Sequence, residues 1–209
     1  MMNKRYGFWV ATTTLAVIWL LGLLLGGRDA SWDVDIYRQL YVGGGTTLAR
    51  NALIFTKLGS GYLLVPLGLA AAVYLAFRRK RRTALLLIMI FGGRFLVELQ
   101  KLVIGRPRPG ISPHLEAVHT HAFPSAHAAN ATITLLAIAL LLPVRQRNRA
   151  IAVGIALALA LQVGVSRVML GVHWPSDVIG GWAFGMIWVL VCMYLASARP
   201  EADPSPPVR

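Results

Sequence analysis

Between Val165 and Gly181 the chain reads VSRVMLGVHWPSDVIGG, a stretch that holds Arg167, His173 and Asp177. His173 and Asp177 are four residues apart around a helix start marked by Pro175, a spacing that lets the carboxylate reach one imidazole nitrogen. A carboxylate in that position orients the ring and raises the basicity of its other nitrogen, as an activated nucleophile requires. The plainer reading of Asp177 is an acid that complements the helix dipole. Two more segments carry matching chemistry. In KLVIGRPRPG the cations Lys101, Arg106 and Arg108 suit a phosphate, because Arg offers paired donors and Lys a point charge. One such cation alone would be read as a side chain snorkelling to headgroups. In FPSAHAAN, Pro124 and Ser125 are helix-start residues, and Ser125 is readily a plain N-cap. The same helix start is also an anion site, with His127 in its first turn as a candidate proton donor. Two histidines, an acid, a serine and several cations together suit phosphoryl transfer through a histidine nucleophile.

The elements that must hold these groups are apolar. The chain has 209 residues, 56% of them hydrophobic, and a mean hydropathy of +0.62, which points to an integral membrane protein. The short alternating segments of a membrane β-barrel do not occur, so the expected fold class is all-α and polytopic. Six transmembrane helices are expected near 8–26, 58–77, 84–104, 123–143, 150–168 and 177–196, each long enough for about 30 Å of hydrocarbon. Between the first and second, Trp32, Ile36, Tyr37, Leu40 and Tyr41 recur at helical spacing and predict a short interfacial helix, ended by Gly43 to Gly45. The expected organisation is one domain over 1–199, then a disordered, proline-rich cytoplasmic tail over 200–209. Lys4 and Arg5 precede the first apolar run, which is read as a retained anchor rather than a cleaved leader. The single cysteine, Cys192, allows no intrachain disulfide and is read as core filler.

A formal net charge of +13 would fit a nucleic-acid partner, but its distribution favours membrane topology. Six spans leave both termini on one side, with Lys4, Arg5, Arg78 to Arg82, Arg145, Arg147, Arg149, Arg199 and Arg209. The other side carries Asp29, Asp33, Asp35 and Glu116. The positive-inside rule then places both termini in the cytoplasm of a multi-pass inner-membrane protein. Segments 101–125 and 166–177, which hold the candidate chemistry, fall together on the extracytoplasmic face.

The spacings Lys-x6-Arg-Pro (Lys101, Arg108, Pro109), Pro-Ser-x-His (Pro124, Ser125, His127) and Ser-Arg-x5-His-x3-Asp (Ser166, Arg167, His173, Asp177) resemble a known tripartite signature. It is that of the type 2 phosphatidic acid phosphatase superfamily, and the resemblance covers nearly the whole chain. It implies a membrane lipid phosphatase that needs no metal and no cofactor, acting on a lipid phosphate in the bilayer rather than on nucleic acid. By that resemblance His173 attacks phosphorus to form a phosphohistidine, Asp177 orients it, and His127 protonates the leaving oxygen. Lys101, Arg108, Ser125, Arg167 and the backbone N–H of Ala126 would hold the phosphate. The expected substrates are undecaprenyl diphosphate, phosphatidylglycerophosphate, phosphatidate or lipid A phosphates. Ala126 departs from the family's usual glycine; it is harmless at right-handed helical dihedrals and costs about 1–2 kcal/mol if φ is positive.

Other groups compete for attention. Asp33 and Asp35 in DVDIY resemble an Asp-x-Asp phosphatase motif, read as chance for lack of its following residues. His114, Glu116, His119 and His121 could ligate zinc, but no helix aligns them, and a polar loop at the site mouth is the simpler reading. Arg94 and Glu98, one turn apart in the third span, are read as an internal ion pair. Two further functions share the site: a phosphotransferase passing phosphate to a lipid acceptor, and a non-catalytic lipid transporter, which would have no use for the His173–Asp177 pair.

Overall fold

The computed structural model describes residues 2–77 and 79–198. Its elements are α1 (Met2–Leu25), α2 (Ser31–Leu40), α3 (Thr47–Leu58), α4 (Gly61–Ala76) and α5 (Lys80–Leu87), then a π-helical turn (Ile88–Gly92). The chain continues through α6 (Gly93–Ile104), α7 (Ala126–Leu141), α8 (Gln146–Met169) and α9 (Pro175–Ala198), with no strand among the described residues. The expected tail 200–209 lies outside them, as do Arg78, Arg199 and Arg209.

Among the described residues, five stretches are long and apolar enough to cross a membrane: Arg5–Leu25, Thr47–Ala76, Lys80–Ile104, Gln146–Met169 and Pro175–Ala198. The expected span 123–143 is trimmed at both ends to the 16 residues of α7. Ser125 is extended at its start, and Leu142 is extended ahead of Pro143, as a residue before proline prefers. The expected span 58–77 begins earlier, because α3 precedes α4 in one apolar run broken at Gly59 and Ser60. Arg50, Asn51 and Lys57 dilute the hydropathy of α3, yet Ala49, Ala52 and Thr56 line up as its buried face.

The loop helix expected from Trp32 to Tyr41 is α2, but its apolar residues do not share one face. Tyr37 is fully buried with Val34, Leu40 and Tyr41 against Trp174 and Val168, whereas Trp32 and Ile36 are about two-fifths exposed. The remaining place on the buried face, one turn before Tyr37, is taken by Asp33.

Helix α9 packs along both α1 and α7. Gly180, Gly181 and Gly185 bring its backbone against Phe123, Ala128, Ala129 and Thr132, and Gly22 and Gly26 bring α1 against Ser176. Such small residues let helices approach closely where no hydrophobic drive separates protein from lipid. At the other end Leu86, Met89, Ile90, Ile133, Ala137, Val189 and Cys192 form the largest apolar cluster. The Trp188 indole there donates to Met89 O at 2.9 Å, satisfying a carbonyl of the π turn.

Two glycines decide where the chemistry-bearing loops begin. Gly105, at φ 63°, ends α6 four residues after Lys101 and turns the chain toward Arg106 and Arg108. Gly171, at φ 78°, ends α8 after Arg167 and leads into His173. A side chain at Gly171 would also meet Tyr37 Oη at 3.0 Å.

Candidate active site

The helix ends and loops set by these glycines meet around a cavity of about 210 Å³. Lys101, Arg108, Ala126, His127, Arg167 and His173 all line it, so all three sequence segments contribute. His173 sits in the turn before α9 and is buried. Its Nδ1 lies 3.3 Å from Asp177 Oδ2, an oxygen that also accepts the Trp174 N–H at 2.9 Å. On the other side of the ring, Arg108 Nη1 approaches Nε2 at 3.1 Å. A guanidinium can only donate, so Nε2 is the lone-pair nitrogen and Nδ1 carries the proton toward the carboxylate. Burial first, then the charges of Arg108, Lys101 and Arg167, hold His173 well below its ordinary pKa of 6.5. The ring is therefore neutral, with a free electron pair directed away from Asp177.

The cations are held by the loop over the site. Lys101 Nζ donates to His121 O and, at 3.4 Å, to Thr120 Oγ1. Arg108 donates from Nε to Thr120 O at 2.7 Å and from Nη1 to Val172 O at 2.5 Å. Burial and the neighbouring Arg167 lower the Arg108 guanidinium to about 10. Arg167, also buried, donates to Thr56 Oγ1 and to Glu116 Oε2, while its Nε has no hydrogen-bond partner among the described residues. Ser125 and Ala126 form the start of α7. The Ser125 N–H donates to Asp177 O at 2.9 Å, but its fully buried Oγ also finds no partner. An unpaired buried polar group costs about 1–3 kcal/mol; Arg167 carries its own on the cavity wall, whereas Ser125 is not among the lining residues. Ala126 is helical, and no non-glycine residue among those described has positive φ, so the alanine carries no backbone strain here.

Arg106 is not in the cavity. Of the three cations expected to gather on a phosphate, it alone turns away, behind the histidine. Its Nη1 donates to Asp177 Oδ1 at 2.9 Å and Ser176 Oγ at 3.0 Å; its Nη2 donates to Gly22 O and Leu23 O at 2.9 and 2.6 Å. The guanidinium carbon lies 4.4 Å over the Phe123 ring. Asp33 completes this buried layer by accepting the Ser176 N–H at 2.9 Å, the Ser176 hydroxyl and the Gly27 N–H. The Asp33 of the DVDIY stretch is thus an anchor between α2 and the start of α9, outside any Asp-x-Asp site.

The suspected zinc residues disperse. His114 Nε2 lies 2.6 Å from Pro109 O, Glu116 pairs with Arg167, and His119 lines the cavity. No group of three or more metal-ligating side chains forms among the described residues. Arg94 and Glu98 both line the cavity, but the expected ion pair between them is absent among the described residues. Both side chains open onto the cavity, and nothing brings them together. Sequence reasoning missed Thr56, Thr120 and Asn130. Asn130 lies one turn after His127, a spacing that could have found it, whereas Thr56 sits on a helix not expected at all.

Comparison with known proteins gives a family and several similar chains. Residues 82–201 match the model described as PAP2 superfamily. Over 204 residues, 94% of this chain and 95% of the relative, the sequence is 28% identical to an undecaprenyl-diphosphatase of Sulfolobus acidocaldarius. It is 36% identical over 137 residues to phosphatidylglycerophosphatase B of Bacillus subtilis, covering 63% of this chain and 67% of that one. Among solved structures, a transmembrane PAP2-type phosphatidylglycerolphosphate phosphatase from Bacillus subtilis superposes with a TM-score of 0.81 at 28% identity, over 89% of this chain and 96% of the other. Aquifex aeolicus LpxE shares the fold at a TM-score of 0.63 and 24% identity, over 79% and 97% of the two chains.

Proposed function

The chain belongs to the PAP2 superfamily, and from that premise we propose that it is an integral membrane phosphatase that removes a terminal phosphate from a membrane lipid through a phosphohistidine intermediate. The observation that carries this reading is the environment of His173: Asp177 at Nδ1, Arg108 at Nε2, and the buried Lys101 and Arg167 with the half-buried Arg108 around one cavity. Nε2 attacks phosphorus while the bond to the leaving oxygen breaks, and His127, in the first turn of α7, gives that oxygen its proton. The positive charge on His173 that forms in this step is met by Asp177, itself braced by Arg106. Water, giving a proton back to His127, then cleaves the P–N bond and frees phosphate. The phosphate oxygens take the donors that Lys101 and Arg108 now direct at carbonyls, together with Arg167 Nε, Ser125 Oγ and the Ala126 N–H.

The proposed topology is six spans, with α7 as the fourth and α2 at the interface, and both termini in the cytoplasm. Arg79 to Arg82 and Arg149 support it by clustering beside Leu141 and Ala196, at the end of the bundle away from His173. The site is then extracytoplasmic. Residues 1–199 act as one domain. The names of the relatives make undecaprenyl diphosphate and phosphatidylglycerophosphate the first substrates to test.

The test is phosphate release by the purified protein from undecaprenyl diphosphate, phosphatidylglycerophosphate, phosphatidate and a lipid A phosphate, with and without an added lipid acceptor. Hydrolysis without acceptor is expected, and no release with His173→Ala. Full release by that variant would end the phosphohistidine mechanism; phosphate found only on the acceptor would make the protein a transferase.

A further inference from the structure

Arg94 is half-buried within the apolar run Lys80–Ile104, and no described residue gives it a hydrogen bond or an ion pair. A cation at that depth is costly unless something anionic meets it. It lines the same cavity as the phosphate-binding set, seven residues before Lys101, so about 10 Å deeper along α6. Its guanidinium lies beside the break between α3 and α4. A Cβ on Gly61 would stand 3.1 Å from Arg94 Nη2, and one on Gly59 would stand 3.2 Å from His127 Cδ2. Two glycines of the cavity wall thus lie between His127, which with Val163 packs on Gly59, and Arg94, which packs on Gly61. In the mechanism above, His127 marks the leaving oxygen, so Arg94 lies beyond it, where the rest of the leaving group must run.

We propose that Arg94 is a second anion subsite on the leaving-group side, which selects lipids whose leaving group itself carries a phosphate. A lipid diphosphate or a phosphomonoester joined to a phosphodiester fits that description, and phosphatidate does not. The inference rests on the phosphatase reading of the site. Lys101, Arg108 and Arg167 hold the phosphate under attack; Arg94 holds the one that departs with the lipid. Glu98, one turn along α6, lines the same space with the opposite charge and limits how strongly the subsite binds. Gly59, packed against Val163 and His127, and Gly61, packed against Arg94, both line the cavity that would receive this phosphate.

The test compares kcat/KM of the wild-type protein, Arg94→Gln, Arg94→Lys and Glu98→Gln on a polyprenyl diphosphate, phosphatidylglycerophosphate and phosphatidate. Loss of a charge-assisted contact predicts a fall of about ten- to a hundredfold for Arg94→Gln on the two-phosphate lipids alone. Phosphatidate turnover is retained and reports that the variant is folded. Arg94→Lys recovers part of the loss, and Glu98→Gln matches or exceeds the wild type on the same lipids. Equal losses on phosphatidate and the two-phosphate lipids, or no loss on either, would overturn the subsite. Binding of a polyprenyl methylene-diphosphonate, which is not hydrolysed, separates the two readings. Weaker binding to Arg94→Gln supports the subsite even if no lipid is turned over, and unchanged binding sinks it.

Discussion

Replacing Arg106 with Met tests whether the layer behind His173 governs the reaction. The guanidinium makes four hydrogen bonds, two across to Asp177 and Ser176 and two to the carbonyls of Gly22 and Leu23 in α1. Met keeps much of the volume and removes the charge, leaving the fully buried Asp177 carboxylate without its cation. Breaking one side of such a pair costs about 3–5 kcal/mol. At roughly 2–4 °C per kcal/mol for a chain of this size, the melting temperature should fall by about 10 °C. Catalysis should suffer in kcat rather than KM, because an Asp177 without its brace no longer holds His173 in orientation or stabilises its charge. Thermal unfolding and steady-state phosphate release in one detergent read both effects. Arg106→Lys, which keeps the charge but not the paired donors, should fall between wild type and Met. In a double-mutant cycle with Asp177→Asn, the combined cost should be well below the sum of the two single costs. The reasoning is refuted if Arg106→Met raises KM with melting temperature and kcat intact, as a phosphate ligand would.

Two other outcomes follow from the site. Glu116 occupies the Arg167 guanidinium proposed to hold the phosphate, so Glu116→Gln should lower KM about two- to fivefold, as expected for a partly exposed pair, with kcat unchanged. A rise in KM would mean that Glu116 instead holds Arg167 in place. Because His173 is kept neutral well below 6.5, the unfolded chain binds a proton there that the folded chain does not as pH falls below 6.5. Stability from this group is thus complete above that value and lost on acidification, and His173→Gln should flatten part of the acid slope of the melting temperature.

The sequence made the charged constellation legible because its residues follow helix-end punctuation. Gly105, Pro124, Gly171 and Pro175 mark turns that local rules can read, and Lys101, His127, Arg167, His173 and Asp177 stand beside them. The direction in which a side chain points was not legible. Arg106 and Arg108 are separated by one proline, yet one enters the cavity and the other turns to Asp177, a choice made by α1 carbonyls eighty residues away. Asp33 looked like chance for the same reason, since its partner is the N-terminus of α9. The apolar pattern located most of the long helices but not α3, whose polar outer face hides a narrow buried stripe. Nor could it show that Arg94 and Glu98, though correctly spaced for a pair, face a shared cavity instead of each other.

The brevity of α7 has a mechanical consequence. Its 16 residues rise about 24 Å, some 6 Å less than the hydrocarbon layer that a spanning helix has to bridge. With α7 as the proposed fourth span, a membrane must pinch inward around this helix, or the helix end that bears His127 must sit below the level of the surrounding headgroups. In either case the proposed reaction takes place in a dimple of the bilayer. The acyl-chain length of the host membrane then sets how deep that dimple is, and with it how far a lipid has to sink before its phosphate reaches His173.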